Sequence, residues 1–184
     1  WDCRQVMGPE DILLSDVGAH KMWIARHYHC HEPNTCLIPN GFCSMGFALP
    51  GAIAASLVHP DRRILAVVGD GGFMFTLNEL ATAVEEKLSI PIVIWHNHSY
   101  AMIRDGMIKR DIPEIGVHPQ APDFVKLAEA YGAVGLRATK AEEVVPVLKE
   151  AITTPKPVFI DFQVSHEEGV YPMVPAGDAL TEMI

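Results

Sequence analysis

Two short segments of this 184-residue chain combine glycine, acid and amide in a pattern suited to a bound polyanion. The first, Val67-Val68-Gly69-Asp70-Gly71-Gly72-Phe73, lies at the end of an apolar run and just ahead of a helical one. Its three glycines permit a tight turn and let backbone N–H groups approach an anion, while the following helix contributes its positive end. Asp70 acts the other way. A carboxylate in such a turn repels phosphate unless a cation lies between them, and Mg²⁺ is the natural mediator. The dinucleotide pattern Gly-x-Gly-x-x-Gly fails at Met74, and the Gly-Lys-Ser/Thr of a P-loop is absent, so neither NAD nor ATP is indicated.

Alone, Gly-Asp-Gly-Gly also suits a bare turn that binds nothing. The second segment, His96-Asn97-His98-Ser99, begins 26 residues after Asp70, a separation that one helix and one strand fill. Neighbouring parallel strands would bring both segments to one sheet edge. A hard cation at about 2.1 Å from its ligands wants six oxygens, and the Asp70 carboxylate, the Asn97 amide oxygen and a nearby main-chain carbonyl supply three. Two diphosphate oxygens and a water complete the octahedron. His96 and His98 offer zinc as an alternative, with no cysteine near them to assist. His27, His29, Cys30, His31 and Cys36 also invite a metal reading, but along a helix His27 and His31 share a face that His29 and Cys30 do not, which favours a solvated or subunit-facing helix end.

These segments need elements to position them. Ile12–Leu14, Ile64–Val68, Ile90–Trp95, Ala133–Leu136 and Val158–Phe162 are brief, partly β-branched and apolar at consecutive positions, as strands of a covered parallel sheet are. Between them, Gly46–Val58, Thr76–Leu88, Asp123–Tyr131 and Ala141–Ile152 have helical spacing, with Thr76 and Asp123 at helix starts. The alternation predicts a three-layer α/β/α fold with a mainly parallel sheet, whose ligands bind outside the carboxyl ends of the strands. Residues 1–164 form one domain in this reading, and residues 165–184, rich in Pro and Gly, form its extended C-terminal tail.

Composition narrows the function. Lys and Arg number 14 against 23 Asp and Glu, a formal net charge of −9, and no basic stripe is present to hold nucleic acid. The longest apolar stretch, Phe47–Val58, is too short for the ~20 residues of a membrane span. The four cysteines, at 3, 30, 36 and 43, include no Cys-x-x-Cys pair, as expected of reduced thiols in a cytoplasmic protein, and Trp1-Asp2-Cys3-Arg4 does not read as a signal peptide.

Gly69-Asp70-Gly71, followed by Asn97, resembles the thiamine diphosphate signature, and its surroundings resemble the acetolactate synthase (acetohydroxyacid synthase) family, catalytic chain. The likeness runs through Ser15–Trp23, Ser44–Pro50, Pro122–Ala130 and Tyr171–Pro175, nearly the whole chain. It implies the C-terminal, thiamine diphosphate-binding fold of a longer enzyme that decarboxylates pyruvate and condenses the two-carbon unit with a second 2-oxo acid, a transferase of branched-chain amino acid biosynthesis. By resemblance, Asp70, Asn97 and the main-chain oxygen of Ser99 ligate Mg²⁺, and His20, Gly69, Gly71 and Gly72 surround the diphosphate. Met45 matches the bulky residue that holds the cofactor folded, Cys43 lies beside the aminopyrimidine, and Met102 and Ile103 line the substrate side. The glutamate that starts the proton relay belongs in that family to a pyrimidine-binding domain across a dimer interface, in homodimers or homotetramers. No residue here matches it, so no catalytic residue is assigned and this stretch alone is expected to be inactive. The sequence departs from the pattern at Ala19, Cys43, His96 and Gly106, which leaves the acceptor 2-oxo acid unassigned. Another thiamine diphosphate-dependent decarboxylase or carboligase, or a non-catalytic assembly domain, fits the same residues.

Overall fold

The computed structural model describes residues 1–165, 169–174 and 177–183. In chain order its elements are α1 (Asp2–Val6), β1 (Ile12–Ser15), α2 (Ala19–His27), β2 (Cys36–Leu37), α3 (Ala48–Val58), β3 (Ile64–Gly69), α4 (Asp70–Thr76), a 3-10 turn (Leu77–Glu79), α5 (Leu80–Glu85), β4 (Pro91–His96), α6 (Ala101–Ile108), α7 (Phe124–Ala130), β5 (Val134–Ala138), α8 (Ala141–Thr153) and β6 (Val158–Gln163). The six strands form one sheet in the order β2-β1-β3-β4-β6-β5. Every pairing is parallel.

Alternate residues of β1, β3, β4 and β6 feed two separate cores, which is why these strands are apolar at consecutive positions. Ile12, Leu14, Ala66, Val68, Ile92, Ile94 and Phe159 pack with Leu49 and Ala52 of α3, Phe73 of α4, Leu80 of α5 and Phe124 of α7. Leu13, Leu65, Val67, Val93, Ile160 and Phe162 point to the other face, toward Leu148 and Ala151 of α8 and, at the margin, Ile24 of α2. Burial of each such Leu, Ile or Phe side chain contributes roughly 1.5–3 kcal/mol, so the two cores together hold the helices to both faces of the sheet. The result is the expected α/β/α layering. Among the described residues, no helix is long and apolar enough to cross a membrane.

Three expectations are corrected. The helix anticipated from Thr76 begins at Asp70, breaks at the 3-10 turn and resumes as α5. Gly71 and Gly72 are helical because their missing side chains leave room for neighbours: a Cβ would lie 2.2 Å from a Tyr100 ring carbon at Gly71 and 2.2 Å from Asp16 Oδ2 at Gly72. The helix anticipated from Gly46 begins at Ala48, because Gly46 has φ +85°, outside the right-handed helical region. Finally, α2 ends at His27, so His29, Cys30 and His31 lie in an exposed loop instead of on a helix. In the proposed tail, the described residues beyond Ser165 contain no helix or strand, and Val170 is buried there. Residues 166–168, 175, 176 and 184, among them Pro175 of the Tyr171–Pro175 match, lie outside the described residues.

Candidate cofactor and metal site

Parallel pairing of β3 with β4 aligns Gly69 with Trp95, so Asp70 and Asn97 leave the sheet at the same carboxyl edge. Pairing of β1 with β3 aligns Ser15 with Val67 and brings the start of α2, with His20, to that edge as well. A cavity of about 210 Å³ opens there, and His20, Cys43, Met45, Gly69, Asp70, Gly71, Gly72, Asn97, Ser99 and Met102 all line it, with Tyr100 and Ile103. The glycine-acid motif with Asn97 and the family resemblance thus pointed to residues that the fold brings to one cavity. A larger cleft of about 720 Å³ adjoins it, mostly apolar, over the sheet face between α2 and α8, and shares His20, Trp95 and Asn97.

Asp70 is 3% exposed. Its Oδ1 accepts from the N–H of Gly71 at 2.8 Å and its Oδ2 from the N–H of His98 at 2.9 Å. Burial raises its pKa above the ordinary carboxylate value, opposed by those two N–H groups and by His96, whose Nε2 stands 4.0 Å away. Asn97 is nearly buried, and its Oδ1 accepts from the N–H of Ser99 at 3.2 Å, closing a short turn in which His98 takes φ +55°. Two buried polar atoms bordering the cavity, His20 Nε2 and Ser99 Oγ, have no hydrogen-bond partner among the described residues. Burial drives the His20 pKa from 6.5 down to about 4, so the ring is neutral at neutral pH.

The donor chemistry fits a hard dication and a polyanion. Residues offering carboxylate, amide and main-chain oxygens line one cavity, and two of its lining residues, His20 and Ser99, each carry a buried polar atom without a partner among the described residues. Zinc fits poorly: His96 gives its Nδ1 to Asp161 at 2.8 Å, and among the described residues no three His, Cys, Asp or Glu side chains gather as a metal site. Met45 is half-buried in the loop before α3, Cys43 is exposed with Lys21 Nζ at 3.3 Å, and Met102 and Ile103 are exposed on α6. The Tyr100 ring covers Gly71, so an anion approaching that residue shares its surroundings with an aromatic edge.

Two features escaped the sequence reading. Asp16, fully buried just after β1, binds the backbone of the Met45 loop; an acid directly following an apolar strand was its visible signal. Behind Asp70, Asp161 accepts from His96 Nδ1, from Arg137 Nε at 2.8 Å and from Gln163 Nε2 at 2.9 Å, while Arg137 also bonds Asp123 at 2.7 Å. Burial acts to raise the Asp161 pKa, but these donors outweigh it and hold the carboxyl below its ordinary value.

Comparison with known proteins agrees with this geometry. Residues 16–162 match the family model described as "Thiamine pyrophosphate enzyme, C-terminal TPP binding domain". An acetolactate synthase of Bacillus subtilis is 37% identical over 169 residues, covering 92% of this chain and 30% of the relative. The acetolactate synthase large subunit of Haemophilus influenzae is 38% identical over 178 residues, covering 94% and 30%. The chain thus spans about three tenths of these relatives' length. Among solved structures, the thiamine diphosphate-dependent 4-hydroxybenzoylformate decarboxylase of Rhodococcus jostii RHA1 superposes with a TM-score of 0.84 at 25% identity, covering 91% of this chain and 32% of that one. Family model, relatives and fold converge: the chain belongs to the thiamine pyrophosphate enzymes and is a C-terminal TPP-binding domain of that family.

Proposed function

We propose that the cavity at the carboxyl edge of β3 and β4 holds thiamine diphosphate through Mg²⁺, with Asp70, Asn97 and the main-chain oxygen of Ser99 as the protein's metal ligands. The observation that carries this is the pairing of β3 with β4, which sets a buried acid and a buried amide side by side at one cavity. His20, Gly69, Gly71 and Gly72 would border the diphosphate, Met45 would support the thiazolium-bearing half, Cys43 would lie beside the aminopyrimidine, and Met102 and Ile103 would line the substrate side. When bound, the cofactor supplies carbanion stabilisation, and the protein contributes orientation and exclusion of water. No group of this chain is assigned the proton relay. That role falls to a pyrimidine-binding domain, paired with residues 1–164 across a dimer interface in a homodimer or homotetramer, so this stretch alone is inactive.

Titration calorimetry tests the binding. Thiamine diphosphate is expected to bind with Mg²⁺ and to lose affinity when Mg²⁺ is withheld or Asp70 is changed to Ala. Equal binding by Asp70→Ala, or binding indifferent to Mg²⁺, overturns the metal bridge.

For the whole protein, the curated relatives support an acetolactate synthase-like reaction, in which pyruvate is decarboxylated and its two-carbon unit joined to a second 2-oxo acid. A simple 2-oxo acid decarboxylase is the second reading, favoured by the structural likeness to the Rhodococcus decarboxylase. Product analysis after reconstitution with a pyrimidine-binding domain separates them: acetolactate supports the first, free aldehyde the second.

A further inference from the structure

Residues 38–47, between β2 and α3, contain no helix or strand, yet they carry Met45 into the cofactor cavity. The segment's own main-chain hydrogen bonds, from the Asn40 N–H to the Ile38 carbonyl and from the Cys43 N–H to the Pro39 carbonyl, stop short of Met45, and contacts from outside the segment place it. Asp16, the first residue after β1 and fully buried, does so with both carboxylate oxygens. Its Oδ2 accepts from the N–H of Gly46 at 2.8 Å and its Oδ1 from the N–H of Phe47 at 3.0 Å, the two residues that follow Met45. The same loop is held from a second side, where Thr76 Oγ1 donates to the Gly46 carbonyl at 3.2 Å.

Asp16 reaches this loop past the first turn of α4. A Cβ on Gly72 would stand 2.2 Å from Asp16 Oδ2, so the bare α-carbon of Gly72 makes room for the carboxylate. One buried acid thus packs against the start of α4 and fixes the loop that carries Met45. Its two bonds go to backbone N–H groups, so they set where the chain runs and leave the Met45 side chain to face the cavity.

We propose that Asp16 is a positioning residue for Met45, required for binding the thiazolium-bearing half of the cofactor and dispensable for its diphosphate. This deepens the cofactor reading above and rests on it. Asp16→Asn keeps the size of the side chain but leaves one acceptor oxygen, so an NH₂ group must face one of the two loop N–H groups.

Calorimetry with two probes, magnesium with thiamine diphosphate and magnesium with inorganic diphosphate, tests the inference. Asp16→Asn is expected to weaken thiamine diphosphate binding about tenfold while changing inorganic diphosphate binding less than about twofold. In a Met45→Ala background, the same Asp16 change is expected to cost less than about twofold, because the residue through which it acts is gone. Equal weakening toward both probes, or an Asp16→Asn effect of the same size in both backgrounds, overturns the positioning role. Wild-type protein that takes up inorganic diphosphate with Mg²⁺ upholds the site itself whatever Asp16→Asn does, and wild-type protein that takes up neither probe overturns the cofactor reading and this inference with it. Should Asp16→Asn fail to fold, amide hydrogen exchange in the wild-type protein decides. Gly46 and Phe47 are expected to gain protection with thiamine diphosphate but not with inorganic diphosphate, and equal gains overturn the proposal.

Discussion

Replacing His20 with Gln converts the burial of one ring into a measurable pH dependence. The ring is 3% exposed, and burial lowers its pKa from 6.5 to about 4, with a main-chain hydrogen bond at Asp16 opposing and Lys21 adding to the depression. The unfolded chain takes up a proton near pH 6.5, whereas the folded chain resists until about pH 4. The stability contributed by neutral His20 is therefore complete above pH 6.5 and drains away as pH falls toward 4, at about 1.4 kcal/mol per pH unit. By about pH 4.5 the loss reaches roughly 2.5 kcal/mol, a large part of the 5–15 kcal/mol typical of a domain. Gln preserves polarity and most of the volume but does not titrate. Urea unfolding at about pH 7.5 and about pH 4.5, without magnesium or phosphate, measures the difference. The wild-type protein should lose roughly 2.5 kcal/mol more than His20→Gln across that interval. Asp16 and Asp70, both raised by burial, titrate alike in the two proteins and cancel in the comparison. Parallel stability curves would refute the assignment of His20 as a neutral, desolvated group.

Other outcomes follow from packing and charge. Gly135→Ala on β5 places a Cβ 2.7 Å from both the α-carbon and the carbonyl oxygen of Val125, backbone atoms that cannot rotate away, so α7 must shift off the sheet. The expected cost is about 1–3 kcal/mol, read as a lower urea midpoint at unchanged m-value. Arg137→Met removes one of the donors to the fully buried Asp161 carboxylate and should cost about 1–3 kcal/mol near neutral pH. Because the folded-state pKa of Asp161 lies below its unfolded value, that cost should shrink as pH falls through the folded pKa and the acid protonates, which thermal melts over an acid series check.

The parts of this fold legible in the sequence are those encoded over short distances. Consecutive apolar residues marked β1, β3, β4 and β6, and Asp123 did prove to cap α7, accepting from Val125 and Lys126. Asp70 and Asn97 could be joined because one helical stretch and one strand separate them, and β3 pairs with β4. What stayed hidden depends on partners far away in the chain. Gly71 and Gly72 read as turn residues by propensity, but Tyr100 and Asp16 occupy the space of their missing side chains and they lie within α4. The two-residue β2 is too short to carry a period, and it exists because Leu13 and Leu14 offer it a parallel partner. Asp161 and His96, 65 residues apart, meet only because β4 and β6 are adjacent.

Three buried acids lie on or just beyond strands of this sheet, and the way each is satisfied bears on the metal. Asp161 faces Arg137, His96 and Gln163, a donor set that overcomes its burial and lowers its pKa. Asp16 is satisfied by loop N–H groups, and its pKa stays raised. Asp70 has two N–H groups and, among the described residues, no Lys or Arg within ion-pair distance, and burial keeps its pKa raised as well. A diphosphate placed beside Asp70, in a chain already carrying −9, adds like charge where the low-dielectric interior strengthens repulsion. Helix α4, at seven residues, offers only a short dipole against that. A dication held by Asp70 and Asn97 reverses the sign of the interaction, stabilising the carboxylate and the phosphates together. If Asp70 is the metal ligand proposed above, magnesium affinity is expected to fall as pH drops through its raised pKa, because a protonated carboxyl is a poor ligand for a hard cation; a magnesium titration over an acid series checks this.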